Sequence, residues 1–102
     1  MIEYKLKILP RAFKDLKETK QRYNEEKEFL GEEFKSEIIK EFNFLEKNPF
    51  IYQIRFLEFR KSLLKRFPYC IYYVVEESIQ IIIVFAVLHN KIGEKKLKKR
   101  LK

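Results

Sequence analysis

The sequence is poor in the residues that build flexible loops and covalent cross-links. Its 102 residues include two glycines, three prolines, one cysteine and no tryptophan. Gly-rich phosphate loops and dinucleotide-binding turns each require several glycines, so both kinds of nucleotide site are excluded. Because Cys70 has no partner for an internal disulfide, the chain suits a reducing, cytoplasmic compartment.

Long hydrophobic runs are also missing. The longest, Ile81 to Leu88, is far shorter than the roughly 20 residues that cross a bilayer. The stretch from Met1 to Arg11 alternates charged and apolar residues, unlike a secretory signal. The short apolar runs predict no membrane insertion. No Cys and His residues have metal-ligand spacing, so we also expect no metal and no cofactor. With 46% hydrophobic residues, we expect residues 1–102 to fold as a single domain.

Positive charge is abundant and unevenly placed. The chain has 23 Lys+Arg against 15 Asp+Glu, a net charge of +8, yet residues 1–51 are electrically balanced. The excess lies in an inner cluster and in a basic tail that begins near residue 91, which suggests a polyanionic partner, although the tail alone could serve solubility. The inner cluster comprises Arg55, Arg60, Lys61, Lys65 and Arg66. The main cations of the tail are Lys91, Lys95, Lys98, Lys99 and Arg100.

The first part of the chain predicts one strand and two helices. Ile2, Tyr4, Leu6 and Ile8 alternate with polar residues, which is typical of a half-buried strand, and Pro10 suits the first turn of a helix. Apolar positions then recur at helical spacing. The interpretation is a first helix from residue 11 that ends at glycine 31, followed by a second helix over residues 32–47, together an antiparallel hairpin.

After Pro49 the composition favours strands. Ile54 to Arg60, Leu63 to Val75 and Ile79 to Asn90 are rich in β-branched and aromatic residues, and Glu76 to Ser78 predicts a tight turn. The fold class is therefore α+β with the order β-α-α-β-β-β, an antiparallel or mixed sheet with the helical hairpin on one face. The unbroken run at residues 81–88 indicates a central strand covered on both faces, by a partner, a second copy or the C-terminal segment, for which residues 97 and 101 predict a short helix.

The segments from Arg60 to Tyr73 and from Ile81 to Asn90 together resemble the RelE/ParE family of toxins from bacterial type II toxin–antitoxin systems. The most specific part is the Phe-Pro-Tyr-x-Ile-x-Tyr stretch that begins at Phe67, followed at hairpin distance by Ala-Val-Leu-His. Ala12, Asp15 and Leu16 also match the start of the family's first helix. The resemblance implies a growth-arresting toxin that is neutralised by an acidic antitoxin, and the second sheet face would permit a homodimer in its absence.

The resemblance implies two activities that share one fold. ParE-like members inhibit DNA gyrase, whereas RelE-like members are endoribonucleases that cut messenger RNA on the ribosome. Metal-free cleavage through the 2′-hydroxyl needs an acid, a base and phosphate-binding cations, for which His89, Arg60 and Arg66 are the candidates. The nuclease set is incomplete, because Asn90 replaces a tyrosine and the usual arginine aligns with Tyr69. The ParE-like interpretation is therefore preferred.

A third hypothesis is a non-catalytic nucleic-acid-binding module in which tyrosines stack on bases beside the cations. Its stacking residues would be Tyr52, Tyr69, Tyr72 and Tyr73. His89 also has a structural alternative, as a side chain that ends a strand. Under either toxin hypothesis, we expect the target- or antitoxin-binding residues to be Arg55, Lys61, Lys65, Tyr73, Lys91, Lys95, Lys98, Lys99 and Arg100.

Overall fold

A computed structural model describes residues 3–102. The predicted strand residue Ile2 lies outside this range. The described residues form a five-stranded sheet and three α-helices. In chain order the elements are β1 (Lys5–Ile8), α1 (Pro10–Glu26), α2 (Leu30–Lys47), β2 (Ile54–Phe56), β3 (Phe59–Leu63), β4 (Tyr69–Glu76), β5 (Ile81–His89) and α3 (Gly93–Arg100).

The sheet is mixed, which confirms the predicted α+β class. Its strand order is β1-β5-β4-β3-β2, with β1 parallel to β5 and every other pair antiparallel. The parallel pairing is possible because the helical hairpin carries the chain from one end of β1 to the far side of the molecule before β5 begins. β5 lies between β1 and β4, as the apolar run predicted. No helix among residues 3–102 has the length and apolarity needed to cross a membrane.

Gly31 allows the two helices of the hairpin to approach closely. The prediction that it ends the first helix is wrong, since α1 ends at Glu26 and Gly31 lies in the first turn of α2. A Cβ at Gly31 would overlap the backbone carbonyl of Lys20, and the Gly31 N–H donates to Asn24 Oδ1 at 2.7 Å. The glycine is therefore required for helix packing rather than for helix termination.

Two predicted strand segments are divided by turns. The segment 54–60 is a hairpin rather than one strand, because Leu57 adopts a left-handed conformation with φ 51° between β2 and β3. The segment 63–75 begins its long strand only at Tyr69, after a loop in which the Leu64 N–H donates to the Tyr69 carbonyl at 3.0 Å. Neither turn contains the Asn-Gly or Asp-Gly pair from which a hairpin turn is predicted in a sequence.

A β-bulge at Phe85 decides which face each end of β5 presents. Tyr73 pairs with Val84 and Tyr72 pairs with Ala86, so Phe85 is the extra residue. Before the bulge, even-numbered residues face α1 and α2. After it, odd-numbered residues do, and His89 consequently lies on the side of the sheet that we call the helix face.

The other side of the sheet, which we call the open face, is partly covered by α3. Leu97 is 1% exposed and packs with Phe59 and Tyr72 in a second hydrophobic cluster. α3 is also tied across the sheet edge, since Asp15 of α1 accepts two hydrogen bonds from Arg100 at 2.6 and 2.7 Å. The predicted cover by the C-terminal segment is thus present.

Candidate functional site

The cations of the inner cluster divide between the two faces of the sheet. Arg60 and Lys61 are neighbours on β3 and therefore point in opposite directions. On the helix face, the Arg60 guanidinium donates to the Tyr52 carbonyl at 2.6 Å and lies 5.1 Å from the centre of the Phe50 ring. Arg60 thus fixes the segment between α2 and β2 to the sheet.

Lys65 and Arg66 lie in the loop before β4, against the acidic side of α2. The Arg66 guanidinium pairs with Glu33 at 2.7 Å, and this hydrogen bond lowers the pKa of the Glu33 carboxyl. Glu37 Oε1 accepts from the backbone N–H groups of both loop residues, at 3.2 and 3.1 Å. The acidic residues of α2 therefore offset much of the positive charge at this end of the cluster.

The open face carries three cations around two aromatic rings, and we call this group the open-face patch: Arg55, Lys61 and Lys98. Lys61 Nζ lies 5.9 Å from the Tyr72 ring centre, and Lys98 Nζ lies 4.9 Å from that of Phe56. Burial raises the pKa of the Tyr72 hydroxyl, while the nearby charge of Arg55 opposes that shift. The patch is thus formed by three separate elements, β2, β3 and α3.

The basic tail contributes differently along α3. Lys91, Lys95 and Lys99 are exposed to solvent. Lys98 belongs to the open-face patch and also pairs with Glu94 at 3.4 Å. Arg100 is 19% exposed and bound to Asp15, so its predicted contact with a partner requires this pair to break.

Three of the four tyrosines proposed to stack on bases are buried, and Tyr52 is half-buried. Tyr73 is fully buried on the helix face, where its hydroxyl donates to the Pro49 carbonyl at 3.2 Å. Tyr72 is 1% exposed and Tyr69 is 8% exposed. Tyr73 offers no surface to a partner in this structure, so its predicted role in partner binding stays a prediction that requires the sheet to open.

The contacts of His89 are with residues other than the two arginines proposed to act with it. Its Nδ1 accepts from the Lys91 N–H at 3.2 Å, and its ring meets the Tyr69 ring edge-on at a centroid distance of 5.4 Å. It lines clefts against α1, whereas Arg66 lines a cleft against α2 and Arg60 is occupied at the Tyr52 carbonyl. Arg60 and Arg66 are thus engaged with other residues, and the grouping of the three as one nuclease site stays a prediction.

The sequence interpretation missed the residues that line the same clefts as His89. Arg22 and Thr19 of α1 line the same clefts as His89, and Lys96 of α3 lines one of them. From the sequence, Arg22 is one of the balanced charges of residues 1–51. Only the tertiary contact between α1 and the end of β5 distinguishes it from its neighbours, so no local pattern could have identified it.

The fold and its charges define a small basic α+β protein with a helical hairpin on one sheet face and cations on the other. Residues 6–92 match the family model described as the ParE toxin of the type II toxin–antitoxin system parDE. The chain therefore belongs to this family of toxins, within the RelE/ParE group. No curated protein sequence matches the chain.

Solved structures share the fold at low sequence identity. The chain is similar to a protein of the chromosomal ParDE toxin–antitoxin system from P. aeruginosa, with a TM-score of 0.74, 16% identity and coverage of 85% of this chain and 96% of that one. For the RelBE2 toxin–antitoxin complex from Mycobacterium tuberculosis the TM-score is 0.56 and the identity is 18%, with coverage of 86% of this chain and 99% of that one. For a mutant of E. coli toxin RelE in the free state the TM-score is 0.62 and the identity is 20%, with coverage of 91% of this chain and 90% of that one.

Proposed function

We propose that this toxin arrests growth in the ParE-like manner, by inhibiting DNA gyrase, and that a cognate acidic antitoxin neutralises it. The observation that carries the proposal is the open-face patch, together with the engagement of Arg60 and Arg66 at partners other than His89. A binding inhibitor needs a charged, shaped surface and no acid–base pair. A nuclease needs its proton-transfer groups and its phosphate-binding cations at one reacting phosphate.

The open-face patch supports binding of an acidic chain segment. Lys61 and Lys98 stand over aromatic rings, so an incoming carboxylate would meet cations whose stems are already packed against the sheet. Lys95 and Lys99 extend the positive field along the exposed side of α3. Such a field accelerates association with an acidic partner and makes it sensitive to salt.

RelE-like cleavage of messenger RNA on the ribosome is the alternative. The observation that favours it is the position of His89 at a cleft that also contains Arg22 and Tyr69. A metal-free reaction there would use those partners instead of the two arginines of the inner cluster. The non-catalytic nucleic-acid-binding module has less support, because Tyr69, Tyr72 and Tyr73 are buried.

The experiment that separates the two activities uses the purified chain at equal concentrations in two assays. One measures supercoiling of relaxed plasmid by DNA gyrase, and the other measures cleavage of a ribosome-bound message. We expect loss of supercoiling and an intact message. A cut message with normal supercoiling would contradict the proposal. In cells, growth arrest on expression should be reversed by co-expression of the antitoxin.

A further inference from the structure

The outer edge of β1 is occupied by a side chain of α2. Among the described strands, β1 and β2 form the two edges of the sheet. The Leu6 N–H of β1 donates to Glu46 Oε2 at 3.0 Å, across 40 residues of sequence. We propose that Glu46, together with two lysines of β1, keeps this edge from pairing with the β1 strand of a second copy of the chain. This role does not rest on the gyrase proposal.

The backbone of β1 presents alternate residues to the free edge. The N–H groups of Lys5 and Leu9 donate to carbonyl groups on the β5 side of the strand, each at 3.1 Å. Because the direction of the backbone groups alternates along a strand, Leu6 and Ile8 turn their N–H and C=O groups outward. Such a row of outward polar groups is a template for the addition of another strand.

The two edges of the sheet differ in regularity. β2 has three residues and its register with β3 shifts between Ile54 and Phe56. Short, irregular edge strands pair poorly with other chains. β1 has four residues and an unbroken register with β5, so it is the better template for a second copy. The regular edge is also the one that the Glu46 carboxylate reaches.

Symmetric antiparallel pairing of two β1 strands requires the Leu6 N–H. Residues that exchange hydrogen bonds across such a pair must both face the edge, so Leu6 would lie opposite either Leu6 or Ile8 of the second copy. In both registers the Leu6 N–H would have to donate to a carbonyl of that copy. The Glu46 carboxylate already accepts this N–H, and its negative charge would repel the incoming carbonyl oxygen.

Lys5 and Lys7 add repulsion between like charges. Both are exposed, whereas Leu6 and Ile8 pack against the core on the helix face, so the two lysines lie on the open face. In the first register Lys5 of one copy would lie opposite Lys7 of the other, and in the second register the two Lys7 side chains would lie opposite each other. Like charges directly opposite on paired strands destabilise the pair.

The test is sedimentation of the full chain by analytical ultracentrifugation over a range of protein concentrations. The triple variant Lys5→Thr/Lys7→Thr/Glu46→Ala removes the carboxylate and both lysines, and threonine suits a strand. The control Lys5→Thr/Lys7→Thr/Glu28→Ala has the same net charge but keeps Glu46, since Glu28 is an exposed residue elsewhere. We expect the first variant to dimerise at least about tenfold more tightly than the control and wild type. Equal dimerisation of the two triple variants, or dimerisation of neither, would overturn the proposal.

Hydrogen exchange then locates the contact. In a dimer formed through β1 the Ile8 amide should gain protection, and a dimer in which this amide still exchanges rapidly would use another surface and overturn the proposal. Glu46→Ala alone tests the cap in the monomer, even if the triple variant does not fold. At low protein concentration its Leu6 amide should exchange at least about tenfold faster than in wild type, because the acceptor is gone. An unchanged rate would overturn the proposal.

Discussion

Replacing Asp15 by alanine tests how α3 is held over the sheet. The Asp15 side chain is 6% exposed and that of Arg100 is 19% exposed, so their two hydrogen bonds lie largely away from water. Asp15 also accepts the backbone N–H of Val87 in β5. The substitution therefore leaves a cation and a backbone donor without partners. Loss of one partner of a buried pair costs about 3–5 kcal/mol, and we expect a loss in that range.

The matched control is the other arginine–carboxylate pair found among residues 3–102. Glu33 and Arg66 meet at 2.7 Å, but their side chains are 43% and 59% exposed. Exposed pairs are screened by solvent and contribute little to stability, so Glu33→Ala should leave the unfolding midpoint nearly unchanged. The two variants differ mainly in the burial of the pair that is removed.

Urea unfolding followed by circular dichroism gives the free energy of unfolding of wild type and both variants. Native-state hydrogen exchange adds a local measure, because the Val87 amide should lose protection in Asp15→Ala and keep it in Glu33→Ala. If both variants lost the same small stability, the reasoning that α3 is fixed by a buried pair would be refuted.

Three further predictions follow from buried groups. Tyr73→Phe should lower the free energy of unfolding by about 1 kcal/mol in urea titrations, because the hydroxyl bond to Pro49 is lost, and should leave partner binding intact; impaired binding would contradict its burial. Gly31→Ala should lower the midpoint of thermal unfolding by several degrees while Ser36→Ala on the same helix does not, and an unchanged midpoint would refute the close helix contact. Since burial raises the pKa of the Cys70 thiol, its reaction with a disulfide reagent at pH 8 should follow global unfolding, and rapid native labelling would disagree with this.

The sequence was sufficient for the fold class because its main signals are local. Alternation before Pro10, helical spacing up to the Asn48-Pro49 pair and the apolar run of β5 each arise from residues close in the chain. The division of the sheet into five strands was missed, since Leu57 enters the left-handed region without a glycine to indicate it. Tertiary packing imposes that turn, and residue propensities do not predict a left-handed conformation at a leucine.

The candidate site was predicted less well because a count of charges does not show which face of the sheet each side chain points to. Arg60 and Lys61 are adjacent, yet one holds a backbone carbonyl and the other faces the open side. The bulge at Phe85 turns His89 toward α1. Because the residues of β5 are apolar without alternation, the sequence does not indicate which of them face the helices. Arg22 becomes a candidate only when its support on Tyr69 is known.

The measurement that tests the central claim most directly is the affinity of the proposed acidic antitoxin for a variant without the open-face patch. Arg55, Lys61 and Lys98 would be replaced together by glutamine and compared by calorimetry with wild type. The control replaces three exposed lysines of α1 and α2: Lys14, Lys40 and Lys47. We expect the patch variant to bind at least about tenfold more weakly than both, with a reduced dependence on salt. Equal affinity of the two triple variants would contradict the account.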